Sequence, residues 1–263
     1  MVMTAAPDAF EGADLALTDE AGNLDLFGSR LRAVAADGGV VIAGARPDEW
    51  DSLVAEAEPG SPAPRPYLVA LGAQSGSYRV GPVAQVRAGP VTTPIAADLQ
   101  RAWRAGGGGA AGARGVVLVH AVEVIDGLLA DPGLTAGPVA RPWASDWPAG
   151  VGVGWVDGAR GLLVHRYATT PDGRVAAATI LTPTAQNEPW LGQLLRSAVA
   201  GAGRAAVEEA IRQANPCLPC SSVPPGAMDL VVETLPARRV GESDSADAPP
   251  AEAFGSATRV GGS

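Results

Sequence analysis

Between Arg114 and Ala130 lies the longest periodic stretch of the chain: Val117, Leu118, Ala121, Val124, Ile125 and Leu128 recur at helical spacing, and Asp131-Pro132-Gly133 ends the pattern. This one long helix sets a limit on the fold. Everything around it is punctuated by glycine and proline, so the other elements must be short and joined by turns. No apolar run reaches the roughly 18 residues that a membrane-spanning helix needs.

The opening residues, Met1 to about Asp19, are rich in Ala, Asp and Glu and weakly patterned, which predicts a flexible leader. From Gly22, Leu24, Leu26, Leu31, Ala33, Val34 and Val40-Val41-Ile42 read as short strands joined by Gly turns, an antiparallel meander. Glu49 to Glu56 has helical spacing, with Trp50, Leu53 and Val54 on one face and Asp48 as a cap. Prolines 59, 62, 64 and 66 then force an extended connection. Tyr78 to Val86 reads as a strand interrupted at Gly81-Pro82, Thr93 to Trp103 as a short helix, and the Gly106 to Gly109 run as a loop. With no Gly-Lys-Ser/Thr after it, that run is no phosphate loop. Val151 to Trp155, Gly161 to Tyr167 and Arg174 to Leu181 read as strands, the last two joined by a Pro171-Asp172-Gly173 turn. Leu191 to Gln213 is one helix or two, broken near Gly201 and Gly203, and Met228 to Leu235 is a closing strand. The expected class is α+β: short antiparallel strands and hairpins packed with two or three helices, in a domain over 20–235 followed by a disordered tail over 236–263.

The 263 residues are 47% hydrophobic and 5% aromatic, as in ordinary soluble domains, and carry a net charge of −9. All nineteen basic residues are arginine. The negative balance argues against nucleic acid as partner, since phosphate binding needs a basic face. Without a basic-then-apolar leader, export and membrane attachment are not expected, and the cytoplasm is. The only two cysteines fall in Asn215-Pro216-Cys217-Leu218-Pro219-Cys220. Such a pair can clamp a metal, close a small disulfide or exchange thiols. A tetrahedral soft site wants four N or S ligands, so Cys217 and Cys220 supply half of one. His120 and His165 have no ligand-type spacing to them. His120, on the apolar side of its helix, reads as a packed neutral imidazole, and His165, in an apolar strand, as a hydrogen-bonded core residue. Trp143, Trp147 and Trp155 read as core.

Five segments, taken in order, resemble the large subunit of [NiFe]-hydrogenases, in particular the cytoplasmic NAD-reducing and sulfhydrogenase type. Gly22 to Glu56 is similar to its "GxLxLYDGxLRxxDxxG…DYxxxIAE" stretch, Tyr78 to Ala84 to "YRVGPLAR", and Val156 to His165 to "xEAPRGxLxH". Thr184 to Asn187 resembles "TGQN", and Asn215 to Val223 resembles "DPCxxCxxH". The resemblance runs from about residue 20 to about 235 and covers only the C-terminal half of that subunit. The family holds nickel and an iron with cyanide and carbonyl ligands on four thiolates, one Cys-x-x-Cys near each end. The resemblance implies Cys217 as the terminal nickel ligand and Cys220 as the nickel-iron bridging ligand. It places Arg160 over the metals beside the catalytic Cys217, and Thr184 as a donor to a cyanide. Thiolates suit soft nickel and iron, a guanidinium keeps its charge, and a hydroxyl donates to a bound anion.

Four departures stand beside these matches. Asn215 replaces the motif's aspartate, Asp157 its glutamate, Ala159 its proline, and Val223 the histidine that in the family ligates magnesium and marks the site of proteolytic maturation. The first pair of cysteines is missing. The resemblance therefore implies a truncated hydrogenase large-subunit-like protein, inactive alone, acting as an accessory or scaffold in NiFe-cofactor assembly or surviving as a relic. The alternative is the C-terminal half of a split hydrogenase oxidising or evolving H2 with partner chains. Nickel and iron shared with a partner, or no metal at all, are the cofactor expectations, and hydrogenase subunits or maturation factors the expected partners. From the residues alone, the cysteines can equally be reduced thiols, a disulfide or a zinc contact between copies, and Arg160 a solvated or carboxylate-paired arginine. Thr184 and Asn187 can be loop hydrogen-bonders.

Overall fold

The computed structural model describes residues 10–61, 64–138, 149–199, 203–217 and 222–230. In chain order the strands and helices are β1 (Ala13–Thr18), β2 (Arg30–Val34), β3 (Val40–Ala45), α1 (Trp50–Leu53), β4 (Val54–Glu56), β5 (Pro66–Leu68), α2 (Gly72–Ser75), β6 (Tyr78–Arg79), α3 (Pro82–Ala88), α4 (Pro94–Ala105), α5 (Ala110–Ala130), β7 (Gly150–Gly158), β8 (Gly161–Thr169), β9 (Val175–Leu181), α6 (Pro183–Gln186), α7 (Glu188–Val199) and α8 (Gly203–Ala214).

The first sheet has the order β3-β2-β1-β6; β1 runs antiparallel to β2 and parallel to the two-residue β6. Every residue of β1 is buried. Ala13, Leu15 and Leu17 join Leu31, Tyr78, Leu162 and Val164 in the main core, while Ala16 packs with Val34 and Ala88 on the other side. Asp14 on β1 is paired with Arg79 Nε at 2.5 Å and with Arg87 Nε, from α3, at 2.6 Å. A charge enclosed this way persists only because opposite charges surround it. The Arg79 guanidinium is also packed between the Phe10 and Trp190 rings, 5.3 and 5.1 Å from their centroids.

The second sheet is the antiparallel meander β7-β8-β9, and β4-β5 is a separate two-stranded ribbon. A second core gathers Val83 and Val86 of α3, Val116 and Val117 of α5, and Trp190 of α7. The class is α+β, and the described residues include five helices of seven residues or more: α3, α4, α5, α7 and α8.

Several expectations need correcting. Ala13–Thr18 is no part of a flexible leader but the central strand of a sheet; buried on both faces, it lacks the alternation that marks a half-exposed strand. Residues 1–9 lie outside the described residues, as do the tail 236–263, Trp143, Trp147 and most of the closing strand proposed for Met228 to Leu235. The strand expected over Tyr78 to Val86 stops after Arg79, and Pro82 opens α3 instead. Proline at a helix start loses no hydrogen bond and presets φ. The helix expected over Glu49 to Glu56 is one turn, α1, that gives way to β4 at Val54.

Candidate functional site

Four of the segments singled out in the sequence converge at the end of the β7-β8 hairpin. Its turn, Asp157 to Gly161, lies against the Val80-Gly81-Pro82 corner between β6 and α3. The approach is backbone to backbone: a Cβ on Gly81 would come within 2.7 Å of the Arg160 carbonyl, and one on Gly161 within 2.5 Å of Val80 Cγ2. Both glycines also have positive φ, +96° and +121°, where a side chain is strained. Glycine is required at each for two reasons.

Buried amides fix this junction. Gln85 of α3 donates its Nε2 to Asp157 Oδ1 at 2.6 Å and to the Gly158 carbonyl at 3.2 Å. Leu17 N–H of β1 donates to Asp157 Oδ2 at 3.1 Å. Burial pushes the Asp157 carboxyl up to about 7 against the lowering effect of these two donors. Gln186 accepts from the Tyr78 hydroxyl and donates to the Leu162 carbonyl, and Asn187 Oδ1 accepts from Val80 N–H at 2.8 Å. Thr184, one turn earlier, accepts a hydrogen bond from Cys217 N–H at 3.0 Å.

Helix α8 delivers the cysteine. It ends at Ala214, and Asn215 turns the chain with φ +49°, a left-handed conformation that asparagine tolerates. Cys217 follows as an exposed, free thiol. Cys220 lies outside the described residues. Beside this turn, Arg160, Asn215, Pro82, Arg114 and Trp190 line a narrow crevice. Its polar groups are chiefly donors. Arg160 Nε and Trp190 Nε1 are buried and find no hydrogen-bond partner among the described residues, and no ion pair of Arg160 occurs there. Arg114 donates to the Arg212 and Gln213 carbonyls and closes the end of α8 onto α5. A crevice of positive donors suits an anionic or acceptor guest.

The structure thus brings Thr184 to Cys217, and Arg160 to Asn215. It does not bring the histidines there. His120 is buried, as its helix position implies, with Nδ1 2.9 Å from Thr93 Oγ1, and burial lowers its pKa. His165 is half-buried rather than a core residue, because β8 turns it toward the Tyr167 hydroxyl 3.0 Å away. Trp155 packs edge-on to Trp50 and donates to the Gly28 carbonyl. Among the described residues, no group of three or more His, Cys, Asp or Glu side chains could hold a metal ion. With Cys217 as their one thiol, the described residues do not complete a binuclear centre. Gln186 lies inside the Thr184 to Asn187 match, whereas Asp14, Gln85, Arg114 and Trp190 were not singled out from sequence. Gln85 gives one visible signal, a polar residue inside the apolar run Val83 to Val86.

No family model matches the sequence. Curated relatives do, among them several hydrogenase components. The chain is 31% identical over 243 residues to the NAD-reducing hydrogenase HoxS subunit beta of Cupriavidus necator, an alignment covering 85% of this chain and 50% of the relative. It is 29% identical over 185 residues to a component of the F420-non-reducing hydrogenase vhu of Methanococcus voltae, covering 67% of this chain and 44% of the relative. An NAD+-reducing [NiFe]-hydrogenase crystallised in the H2-reduced state superimposes with a TM-score of 0.69 at 27% identity, over 81% of this chain and 51% of the other. These likenesses, in sequence and in fold, define a hydrogenase-related protein. More particularly, the chain is a partial homologue of the [NiFe]-hydrogenase large subunit, and it spans about half the length of the curated relatives it matches. No helix among the described residues is long and apolar enough to cross a membrane.

Proposed function

We propose that this chain is one half of a two-part, large-subunit-like assembly, an accessory protein that presents a preformed edge of a thiolate site and does not turn over H2 by itself. The observation that carries this reading is the hydrogen bond from Cys217 N–H to Thr184, beside a crevice in which Arg160 and Trp190 hold donors without partners among the described residues. Nickel and iron, when supplied with a partner, would meet Cys217 and Cys220; the binuclear group would contribute the redox chemistry of dihydrogen. The chain's own residues orient and receive. Thr184 fixes the backbone of the Cys217 turn and keeps its hydroxyl proton for an acceptor. Arg160 holds permanent positive charge at the crevice, stabilising an anionic ligand there.

The second reading, a split catalytic subunit, is favoured by the same geometry, because a scaffold has no need of the Arg160 donors once assembly ends. Co-expression with NiFe-cofactor maturation proteins separates the two. The accessory reading predicts iron carrying cyanide and CO infrared bands on the purified chain, or a maturation factor bound to it, and no H2-dependent dye reduction with or without a complementary half. The split reading predicts dye reduction only when that half is present. A chain with no such bands and no bound maturation factor defeats the accessory role. The cytoplasm is the compartment we assign, in keeping with two cysteines spaced for thiolate chemistry.

A further inference from the structure

Helix α5 changes character halfway along. Ala113, Val116, Val117 and His120 are buried in the molecule. Leu118, Val122, Ile125, Leu128 and Leu129 of the same helix are instead 45–72% exposed, and from Ile125 to Ala130 every residue faces solvent. A helix that is apolar on all sides belongs in an interior. Helix α4 packs beside it, tied by Glu123, whose carboxylate caps the amides of Ile95 and Ala96. It adds exposed Ile95 and Leu99, one turn apart. The two neighbouring helices together expose seven large apolar side chains, more than scattered surface residues account for, and concentrations of this kind mark interaction sites.

Two observations say what covers it. The fold shared with the NAD+-reducing hydrogenase occupies 51% of that chain, so in the relative this half folds together with as much polypeptide again. Asp126 and Asp131, near the C-terminal end of α5, are exposed acidic residues in a chain of net charge −9, while Asp98 on α4 is paired with Arg101. Two copies meeting here would bring like charges together, which disfavours self-association.

We propose that the exposed face of α4 and α5 docks a polypeptide with the fold of the large-subunit half that this chain does not match, through an apolar surface bordered by basic residues. The inference rests on the two-part assembly proposed for this chain and gives it a surface. Val122, Ile125 and Leu129 are the anchors, since they are central to the stripe and belong to neither of the chain's two main cores.

The full-length chain, tagged, is co-expressed with the unmatched half of the Cupriavidus necator HoxS beta subunit, and the co-purified half is quantified. The expected result is near-stoichiometric recovery with the wild type. It falls at least tenfold with Ile125→Arg/Leu129→Arg, at unchanged melting temperature, because neither side chain is part of the folded core. Amide exchange over 118–130 slows in the complex. Recovery unaffected by the double variant overturns the proposal, as does no recovery at all. So does a dimer of the chain alone, in sedimentation, that the same variant dissolves, since the occupant is then a second copy. No metal enters this experiment, so its failure is distinct from failure of the infrared and dye assays.

Discussion

Replacing Asp157 by asparagine perturbs the junction without removing its shape. In the folded chain the carboxyl is buried between β1 and α3, and its pKa rises from 3.8 to about 7. Between those values the folded chain keeps a proton that the unfolded chain has released. Its contribution to stability is complete below about pH 4 and is lost as pH rises toward 7. The interval is worth about 4 kcal/mol, at roughly 1.36 kcal/mol for each pH unit. Asparagine has no proton to lose, and its amide can face Gln85, whose Oε1 is buried without a partner among the described residues and can accept once that amide is turned around. Urea unfolding followed by tryptophan fluorescence, at pH 4, 5, 6, 7 and 8 for both proteins, isolates the effect, because other carboxylates cancel in the difference. The advantage of Asp157→Asn over wild type should grow with pH by up to about 4 kcal/mol and level off above about pH 7. A difference that stays flat, or that shrinks as pH rises, refutes the reasoning. It means that the Leu17 and Gln85 donors outweigh burial and hold the carboxylate charged in the fold.

Three further outcomes follow from the same geometry. Asp14→Ala removes the buried carboxylate that pairs with both Arg79 and Arg87 and should cost about 3–5 kcal/mol in denaturant unfolding; the paired change Asp14→Ala/Arg79→Met should recover part of that loss. Gly161→Ala forces a Cβ onto Val80 at positive φ and should cost about 2–4 kcal/mol, whereas Gly107→Ala, also at positive φ but with open space around it, should cost only the conformational part. Thr184→Val removes the acceptor for Cys217 N–H, costing about 0.5–1.5 kcal/mol, and should speed both exchange of that amide and alkylation of the Cys217 thiol. Unchanged rates would count against the contact.

Much of this was legible in the residues. Turn chemistry at Pro171-Asp172-Gly173 and the apolar runs on either side of it foretold β8 and β9, and of the one helix or two expected before the cysteines the structure has two, α7 and α8. The long helix of Arg114 to Ala130 appeared where its spacing put it, extended to Ala110. What escaped notice did so for physical reasons. β1 is buried on both faces and carries a charged residue inward, so neither alternation nor hydrophobicity marks it. Gly81-Pro82 reads equally as a strand break and as a helix start; the contact with the distant Gly161 decides it. The crevice combines Arg114, Arg160 and Trp190 from three distant segments, and no local pattern announces such a meeting. The motif resemblance named Arg160, Thr184 and Cys217, while the hydrogen bond between Thr184 and Cys217 and the crevice beside Arg160 had to be read from the fold.

The most direct measurement is hydrogen uptake by the purified chain alone, with a redox dye as acceptor, after co-expression with the maturation proteins. With two cysteines where a binuclear centre wants four, the account predicts no dye reduction above background. Sustained H2-dependent reduction by this polypeptide without any companion would contradict it.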